Sequence, residues 1–109
     1  MTSSPLSAPN PPISIVVPFF NEADNVETVL NEIIDCQPSA EVIAVDDGSS
    51  DGTWQKIASL PAVRGIRLKK NRGQSAAMLT GLKQASHDIC VVMDGDGQND
   101  PADIASMMS

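Results

Sequence analysis

Residues 13–34, with the sequence ISIVVPFFNEADNVETVLNEII, decide the fold of this chain. Ile13 to Val17 form a β-branched run, which is typical of a strand buried on both faces. The apolar residues that follow recur at helical spacing, at Val26, Val29, Leu30, Ile33 and Ile34. The stretch therefore predicts one buried strand followed by one amphipathic helix.

The same alternation continues outward from this unit. Gln37-Pro38 ends the first helix, and Pro101 is expected in the first turn of a last helix. Between them the pattern predicts strands at 42–45, 66–68 and 89–93 and helices at about 53–60 and 73–86, the latter with an apolar stripe of Met78, Leu82 and Ala85. Strands and helices in strict alternation predict an α/β fold with a doubly wound, mostly parallel sheet.

Composition sets the limits of this domain. Residues 1–12, MTSSPLSAPNPP, offer almost nothing to bury and predict a disordered leader, so residues 13–109 form the single α/β domain. The chain carries 14 acidic and 7 basic residues, a net charge of −7. A nucleic-acid backbone is therefore excluded as the expected partner, and a cation is favoured.

Compartment is inferred from the cysteines and from the apolar runs. Cys36 and Cys90 lie in apolar surroundings and favour reduced, packed thiols. The longest apolar run, residues 13–20, is too short to span a bilayer. We expect a cytoplasmic protein, with the inner face of the membrane as a further location that it could reach through parts not present in this chain.

Three polar loops follow predicted strands: PFFNEADN the first, DDGSSDGT the second and DGDGQND the fourth. Parallel sheets bind ligands beyond the carboxyl ends of their strands, so these loops are expected to converge on one crevice. The last loop carries Asp94, Asp96 and Asp100 with no Lys or Arg, which indicates a missing cation. Glycine-rich dinucleotide and P-loop patterns are absent, and an EF-hand register fails at Asn99 and Ala105.

Four motifs in this order, SIVVPFFNEADNV, VIAVDDGSSDGT, NRGQSAAMLTGL and VVMDGDGQNDP, resemble the family-2 glycosyltransferases of the GT-A fold. The last motif is most similar to the polyprenyl-phosphate sugar transferases of the dolichol-phosphate mannosyltransferase type. The resemblance covers Ile13 to Met108 and implies the Rossmann-like, nucleotide-binding half of an inverting, metal-dependent enzyme. The implied donor is a nucleotide-diphosphate sugar, GDP-mannose or a UDP-hexose, and the acceptor is a polyprenyl phosphate or a glycan.

The resemblance also implies roles for individual residues. The implied ligands of Mg²⁺ or Mn²⁺ are Asp94, Asp96 and Gln98. The implied contacts to the nucleotide sugar are Pro18, Phe20, Glu22, Val45, Asp47, Asp94, Gly95 and Asp96. Phe20 stands where mannosyltransferases often have tyrosine, which keeps a ring for stacking and removes a hydroxyl. The catalytic base and the acceptor site are expected beyond Ser109, so no residue of this chain is assigned as catalytic.

Several interpretations stay open at this point. Asp46 is expected to hold its turn, and Ser49, Ser50 and Asp51 are expected to act in turns and helix caps. The basic cluster of Lys69, Lys70 and Arg72 is either an anion contact or a solvated face. As an alternative function, the chain is a truncated nucleotide- and metal-binding module without turnover. A sheet edge left free by truncation predicts a homo-oligomer.

Overall fold

The computed structural model describes residues 12–93 and forms one α/β unit in that range. The elements alternate as the sequence predicts: β1 (Ile13–Phe19), α1 (Ala23–Cys36), β2 (Glu41–Asp46), α2 (Thr53–Ala58), β3 (Arg64–Arg67), α3 (Gln74–Gln84) and β4 (Ile89–Val92). The expected leader and the helix expected at Pro101 lie outside the described residues, apart from Pro12.

All four strands run parallel, in the order β3-β2-β1-β4. β1 lies between β2 and β4, with Val16 opposite Ile43 on one side and opposite Val92 on the other. Every residue of β1 is buried. A strand with neighbours on both edges and helices on both faces needs apolar side chains throughout, which is the physical reason for the β-branched run.

The sheet is covered on both faces, which confirms the doubly wound prediction. Ile15 and Val17 of β1 share one core cluster with Leu30 of α1 and Ile57 of α2. Val16 points the other way and belongs to a second cluster on the α3 side. The β3-to-β4 crossover therefore runs over the face opposite to the first two crossovers.

The packing of α3 differs from the predicted stripe. Leu82 is exposed, while Ala77 and Gly81 are the buried residues of this helix. A Cβ built on Gly81 would lie 2.4 Å from Cγ1 of Val16. Because α3 approaches the sheet this closely, only small residues fit beneath it, and the leucines are turned outward.

β1 is two residues longer than predicted, because Pro18 pairs with Val45 and Phe19 pairs with Asp46. Proline is unfavourable in a central strand, since it lacks an N–H. The carbonyl of Val16 accepts the N–H of Met93, so the backbone of Val16 faces β4. Alternate residues of a parallel strand face the same neighbour, so the backbone of Pro18 also faces β4, two residues beyond the last β1–β4 pair. The missing N–H therefore breaks no bond to β4.

A polar cluster joins the elements at the amino edge of the sheet. Glu41 Oε1 accepts hydrogen bonds from the hydroxyl of Ser14 at 2.7 Å and from the backbone N–H of Ser86 at 2.8 Å. Its Oε2 accepts the hydroxyl of Ser86 at 2.9 Å and lies 3.8 Å from Nη1 of Arg64. The N–H of Ser86 above all, followed by the two serine hydroxyls, lowers the pKa of Glu41.

Two further observations concern the cysteines and the membrane. Cys36 is exposed at the end of α1, so the expectation that it is packed was wrong, while Cys90 is half-buried. Cys36 lies on the same side of α1 as Val29, seven residues earlier, but it is the last residue of the helix and follows the last buried one, Ile33. Between residues 12 and 93, no helix has the length and the apolar character needed to cross a bilayer.

Candidate functional site

Three loops at the carboxyl ends of the first three strands form a continuous structure, which we call the rim. It consists of residues 20–22 after β1, residues 47–52 after β2 and residues 68–73 after β3. Side-chain to backbone hydrogen bonds join each loop to the next. The predicted convergence of the first two polar loops is confirmed, while the third predicted loop, after β4, lies outside the described residues. The loop after β3 also belongs to the rim.

Asn21 ties the first loop to the second. Its backbone N–H donates to the hydroxyl of Ser49 at 2.8 Å, and its side-chain oxygen accepts the N–H of Ser50 at 2.9 Å. Asn21 has a φ of 51°, in the left-handed region that asparagine tolerates better than most residues. The two loops are thus held together in both directions by one residue.

Thr53 and Asp51 add a second connection at the start of the two helices. The hydroxyl of Thr53 accepts the N–H of Glu22 at 3.0 Å. Asp51 accepts the N–H of Thr53 at 2.9 Å and the N–H of Ala23 at 3.3 Å, so one carboxylate serves the first turns of both α1 and α2. The Thr53 hydroxyl also donates to Oδ1 of Asp51. This bond above all, followed by the bonds from the two backbone N–H groups, lowers the pKa of Asp51. Asp51 thus bonds to the first N–H group of each helix, although the N-cap positions themselves are Glu22 and Gly52, neither of which makes a side-chain cap bond.

Asp47 joins the second loop to the third. Its side chain is buried, with a residue exposure of 2%. Oδ1 accepts the N–H of Arg72 at 2.8 Å, while Oδ2 accepts the N–H of Gly73 and the amide of Asn71, each at 3.0 Å. A carboxylate that receives two backbone N–H groups and an amide is a strong local anchor. Asp47 therefore sets the path of residues 71–73.

Gly48 allows the same two loops to touch. Its φ is 71°, and a Cβ at this position would lie 2.3 Å from the backbone nitrogen of Asn71. No side chain fits there unless the backbone moves. Asp47 and Gly48 together fix the second and third loops as one body.

Asp46 stabilises its turn, as the sequence predicts. Its Oδ1 accepts the N–H of Ser49 at 3.0 Å. Oδ2 is buried, accepts no hydrogen bond within the described part of the chain and lies 3.8 Å from Nε of Arg67. The Arg67 guanidinium also lies 5.8 Å from the centre of the Trp54 ring. This arginine therefore connects the edge strand β3 to α2.

The described candidate nucleotide contacts fall into two groups. Phe20 is 45% exposed at the rim, and half-buried Glu22 accepts the side-chain amide of Asn25 at 2.7 Å. Pro18 and Val45 are buried and lie opposite each other in β1 and β2. The rim thus brings Phe20, Glu22 and Asp47 to one edge of the sheet, while a ligand contact of any of these residues stays a prediction.

The candidate metal ligands Asp94, Asp96 and Gln98, and Gly95 between them, lie outside the described residues. Within residues 12–93, no group of three or more His, Cys, Asp or Glu side chains is placed to hold a metal ion. The metal prediction therefore rests on 94–98. The residue before this segment, Met93, is fixed against β1 by its N–H bond of 3.0 Å to the carbonyl of Val16.

Asn21 and Asn71 were not predicted as rim residues, nor was Thr53 predicted to bond to the first loop. Asn21 and Asn71 each follow a strand within a few residues, where asparagine is favoured because it tolerates left-handed φ and bonds to nearby backbone. That signal identifies a turn residue. It does not reveal the partner, because the partners lie more than 20 residues away in the sequence.

A protein-family comparison matches residues 14–109 to the model described as Glycosyl transferase family 2. Two curated relatives are similar over nearly the whole chain. The dolichol-phosphate mannosyltransferase of Pyrococcus furiosus is 37% identical over 101 residues, which is 88% of this chain and 29% of the relative. The dodecaprenyl-phosphate galacturonate synthase of Rhizobium johnstonii is 38% identical over 122 aligned residues, with coverage of 99% and 36%.

A solved structure shares the architecture. The mannosyltransferase of Pyrobaculum calidifontis, in complex with GDP-Man and Mn²⁺, superposes with a TM-score of 0.73 at 27% identity. The match covers 89% of this chain and 31% of that protein. The chain thus spans about a third of the length of these relatives, and the GT-A architecture applies to that part.

Proposed function

Because the chain belongs to glycosyl transferase family 2, we propose that it supplies the nucleotide-sugar-binding part of an inverting, metal-dependent glycosyltransferase. The proposed reaction moves a sugar from a nucleoside-diphosphate donor to a polyprenyl phosphate. The acceptor class is supported by two relatives whose names specify dolichol phosphate and dodecaprenyl phosphate. The donor is supported by the similar mannosyltransferase that binds GDP-Man and Mn²⁺.

The observation that carries this proposal is the position of the rim at the switch point of the sheet. β1 leads to α1 on one face, whereas α3 crosses the other face to reach β4, and β1 and β4 are neighbours. Ligands of doubly wound sheets bind where the strand order reverses in this way. The rim residue Phe20 and the segment that starts at Asp94 follow these two neighbouring strands.

Three rim residues have a role in this proposal. The exposed ring of Phe20 offers an apolar face on which a nucleoside base can stack. Asp47 keeps residues 71–73 against the second loop, so the pocket wall is formed before the donor arrives. The bonds of Asn21 hold the first loop against the second, so Phe20 and Asp47 keep a fixed separation.

Asp94, Asp96 and Gln98 are the residues that would hold Mg²⁺ or Mn²⁺, which neutralises charge on the departing diphosphate. Their oxygen atoms suit hard divalent cations. Inversion requires the acceptor oxygen to attack the anomeric carbon from the face opposite the diphosphate. No residue between 12 and 93 is proposed as the base for that step.

The first experiment measures thermal stability with GDP or UDP, in Mn²⁺ or in EDTA. We expect stabilisation only with metal, because the diphosphate and the two aspartates repel each other without it. A nucleotide at 100 times its dissociation constant adds about 2.7 kcal/mol to the free energy of unfolding. Equal stabilisation in EDTA would remove the metal from the proposal, and the larger response of the two nucleotides identifies the donor class.

A second experiment compares Asp96→Asn with Asp100→Asn by calorimetric titration of Mn²⁺ and nucleotide. Asp96 is two residues from Asp94, so both carboxylates can be aimed at one ion, while Asp100 precedes Pro101 and suits a helix cap. We expect Asp96→Asn to weaken metal-dependent binding by about 2–4 kcal/mol. Asp100→Asn should cost about 1 kcal/mol of stability and little affinity. Similar affinities for both variants would show that the loop is a solvated turn.

The proposal extends to assembly and location. The sheet of residues 12–93 has β3 and β4 as its edges. A free edge favours self-association, which light scattering at micromolar concentration measures. We also infer that the acceptor is met at the cytoplasmic face of a membrane, because the proposed donor is a water-soluble nucleotide sugar and the proposed acceptor is a lipid.

A further inference from the structure

Charge is completely segregated along this sequence. All 7 basic residues lie between Lys56 and Lys83, and residues 52–87 contain no Asp or Glu. The 14 acidic residues lie outside that segment. The chain is acidic as a whole, yet its middle third carries only positive charge.

The fold turns this pattern into two differently charged faces. α1, with its acids Asp24, Glu27, Glu32 and Asp35, packs on one face of the sheet, and α3 packs on the other. Two helix layers, each about 10 Å across, and the sheet separate the outer surfaces of the two helices. This distance exceeds the Debye length of about 10 Å at 0.1 M salt, so the acids of α1 are largely screened from the outer side of α3.

Ion pairs neutralise the cations near the acidic residues. Lys56 pairs with Glu27 at 3.5 Å, and Arg64 and Arg67 each lie 3.8 Å from an acid of β2. The remaining cations are Lys69, Lys70, Arg72 and Lys83, none of which has an ion pair within residues 12–93. They lie on the β3–α3 loop and on α3.

Exposed leucines lie on the same helix. Leu79 is 53% exposed and Leu82 is 37% exposed, because the sheet side of α3 admits only small residues. Lys83 is four residues from Leu79, so the two lie next to each other on the helix surface. The outer side of α3 thus combines two leucines with an adjacent lysine, and the loop before the helix adds Lys69 and Lys70.

We propose that this cationic face, defined as Lys69, Lys70, Leu79, Leu82 and Lys83, binds the surface of an anionic lipid bilayer. Lysines attract the headgroups while exposed leucines enter the boundary of the acyl region, as in interfacial helices. The absence of Asp and Glu from residues 52–87 complements a negative surface. Lys69 and Lys70 lie in the same rim loop as Arg72, but Arg72 is left out because Asp47 accepts its backbone N–H. The face would hold the donor-binding domain at the membrane, independently of any further segment.

The test is co-sedimentation of the 109-residue chain with vesicles of phosphatidylcholine alone or mixed with phosphatidylglycerol. We expect binding to the anionic vesicles only, and its loss near 1 M salt, where the Debye length falls to about 3 Å. No nucleotide is present, so the result does not depend on donor binding. Equal binding to both kinds of vesicle, or to neither, overturns the proposal.

Variants locate the surface. Lys69→Gln/Lys70→Gln/Lys83→Gln should lower the partition coefficient about a hundredfold, at roughly fivefold for each cation. Leu79→Ser/Leu82→Ser should lower it about tenfold. The matched control lowers the net charge equally on exposed positions of the α1 side and should bind like the original chain: Thr28→Glu, Asn31→Asp and Ser39→Asp.

Circular dichroism verifies that each variant is folded before its binding is compared. A control that loses binding as much as the lysine variant would mean that net charge alone matters, which overturns the assigned face. A dimer that dissociates in the leucine variant without any change in vesicle binding would show that the leucines contact a second copy, which also contradicts the proposal.

Discussion

The carboxylate of Asp47 accepts the backbone N–H of Gly73 at 3.0 Å, across 26 positions of sequence. Asp47 directly follows the last residue of β2, and Gly73 directly precedes α3. One buried side chain thus determines where the third rim loop lies relative to the second.

Asp47→Asn is expected to destabilise the protein by about 1–3 kcal/mol. An amide presents one oxygen and one NH₂ group, so at least one N–H of residues 72 and 73 would face a donor instead of an acceptor. Urea unfolding at neutral pH measures the loss. Asp35→Asn is the matched control, because Asp35 is an exposed acid on α1, and its substitution should change stability by less than about 0.5 kcal/mol.

The same substitution separates positioning from simple destabilisation. If Asp47 acts by placing residues 71–73, then Asp47→Asn should weaken nucleotide binding at temperatures where the variant is still folded. Unchanged nucleotide affinity in the folded variant would mean that the rim does not form part of the donor site.

Gly48→Ala is expected to be more destabilising than Gly73→Ala. Both glycines have positive φ, 71° and 100°. Alanine is strained by about 1–2 kcal/mol in the left-handed region, and by about 1–3 kcal/mol at Gly73, whose ψ of 157° places it in a region that is essentially restricted to glycine. Only at Gly48 would the new Cβ also meet backbone, at 2.3 Å, while at Gly73 no atom lies within 4 Å of it. We expect a difference of at least about 1 kcal/mol between the variants, by thermal or urea unfolding. Equal losses would show that the two loops do not touch.

Most of the fold follows from residue patterns that act locally. The β-branched run at Ile13 and the spacing of Val26, Val29 and Ile33 specify a strand and a helix through short-range geometry. The prediction failed for α3, where the apolar pattern favoured Leu82 as a core residue. The actual contact is between Gly81 and Val16. The distance between a helix and a sheet depends on the residues of both, so it cannot be predicted from the sequence of the helix alone.

The candidate site was predictable to a smaller extent. Loop composition located the first two polar loops, because parallel strands place their carboxyl ends at one edge. The cross-loop bonds of Asn21 and Asp47 depend on which loops become neighbours, and that follows from the strand order β3-β2-β1-β4. Alternation of strands and helices is compatible with several such orders. The sequence left Arg72 open as an anion contact or a solvated residue, and the bonds that place residues 71–73 in the rim were seen only in the structure.

Gly81→Ala should destabilise the protein, although the same change in an exposed helix interior stabilises by about 1 kcal/mol. The added methyl would lie 2.4 Å from Cγ1 of Val16 and 3.1 Å from Cγ2 of Val45. We expect a loss of about 1–3 kcal/mol by urea unfolding. Val16→Ala opens space at this contact, so the double variant should lose less stability than the sum of the losses in the two single variants. Strict additivity would contradict the close packing of α3 on β1.

Glu41 gives the stability a defined dependence on pH. Its pKa is lowered in the folded protein by the N–H of Ser86 and the hydroxyls of Ser14 and Ser86. A lowered folded pKa means that the stabilisation is complete above the unfolded pKa and is lost as the pH falls through the folded pKa. Glu41→Gln should therefore cost about 1–3 kcal/mol at neutral pH, since the remaining amide cannot accept all three bonds.

That difference between the original chain and Glu41→Gln should shrink steadily in urea unfolding experiments as the pH is lowered from about 7 through the carboxyl range. Glu32→Gln, at an exposed position of α1, is the control and should show a small difference at every pH. A loss in Glu41→Gln that stays constant throughout this range would mean that the serines bind the side chain regardless of its charge. The amino-edge cluster would then contribute through neutral hydrogen bonds alone, and Asp51, whose pKa is lowered in the same direction, would be tested next by the same measurement.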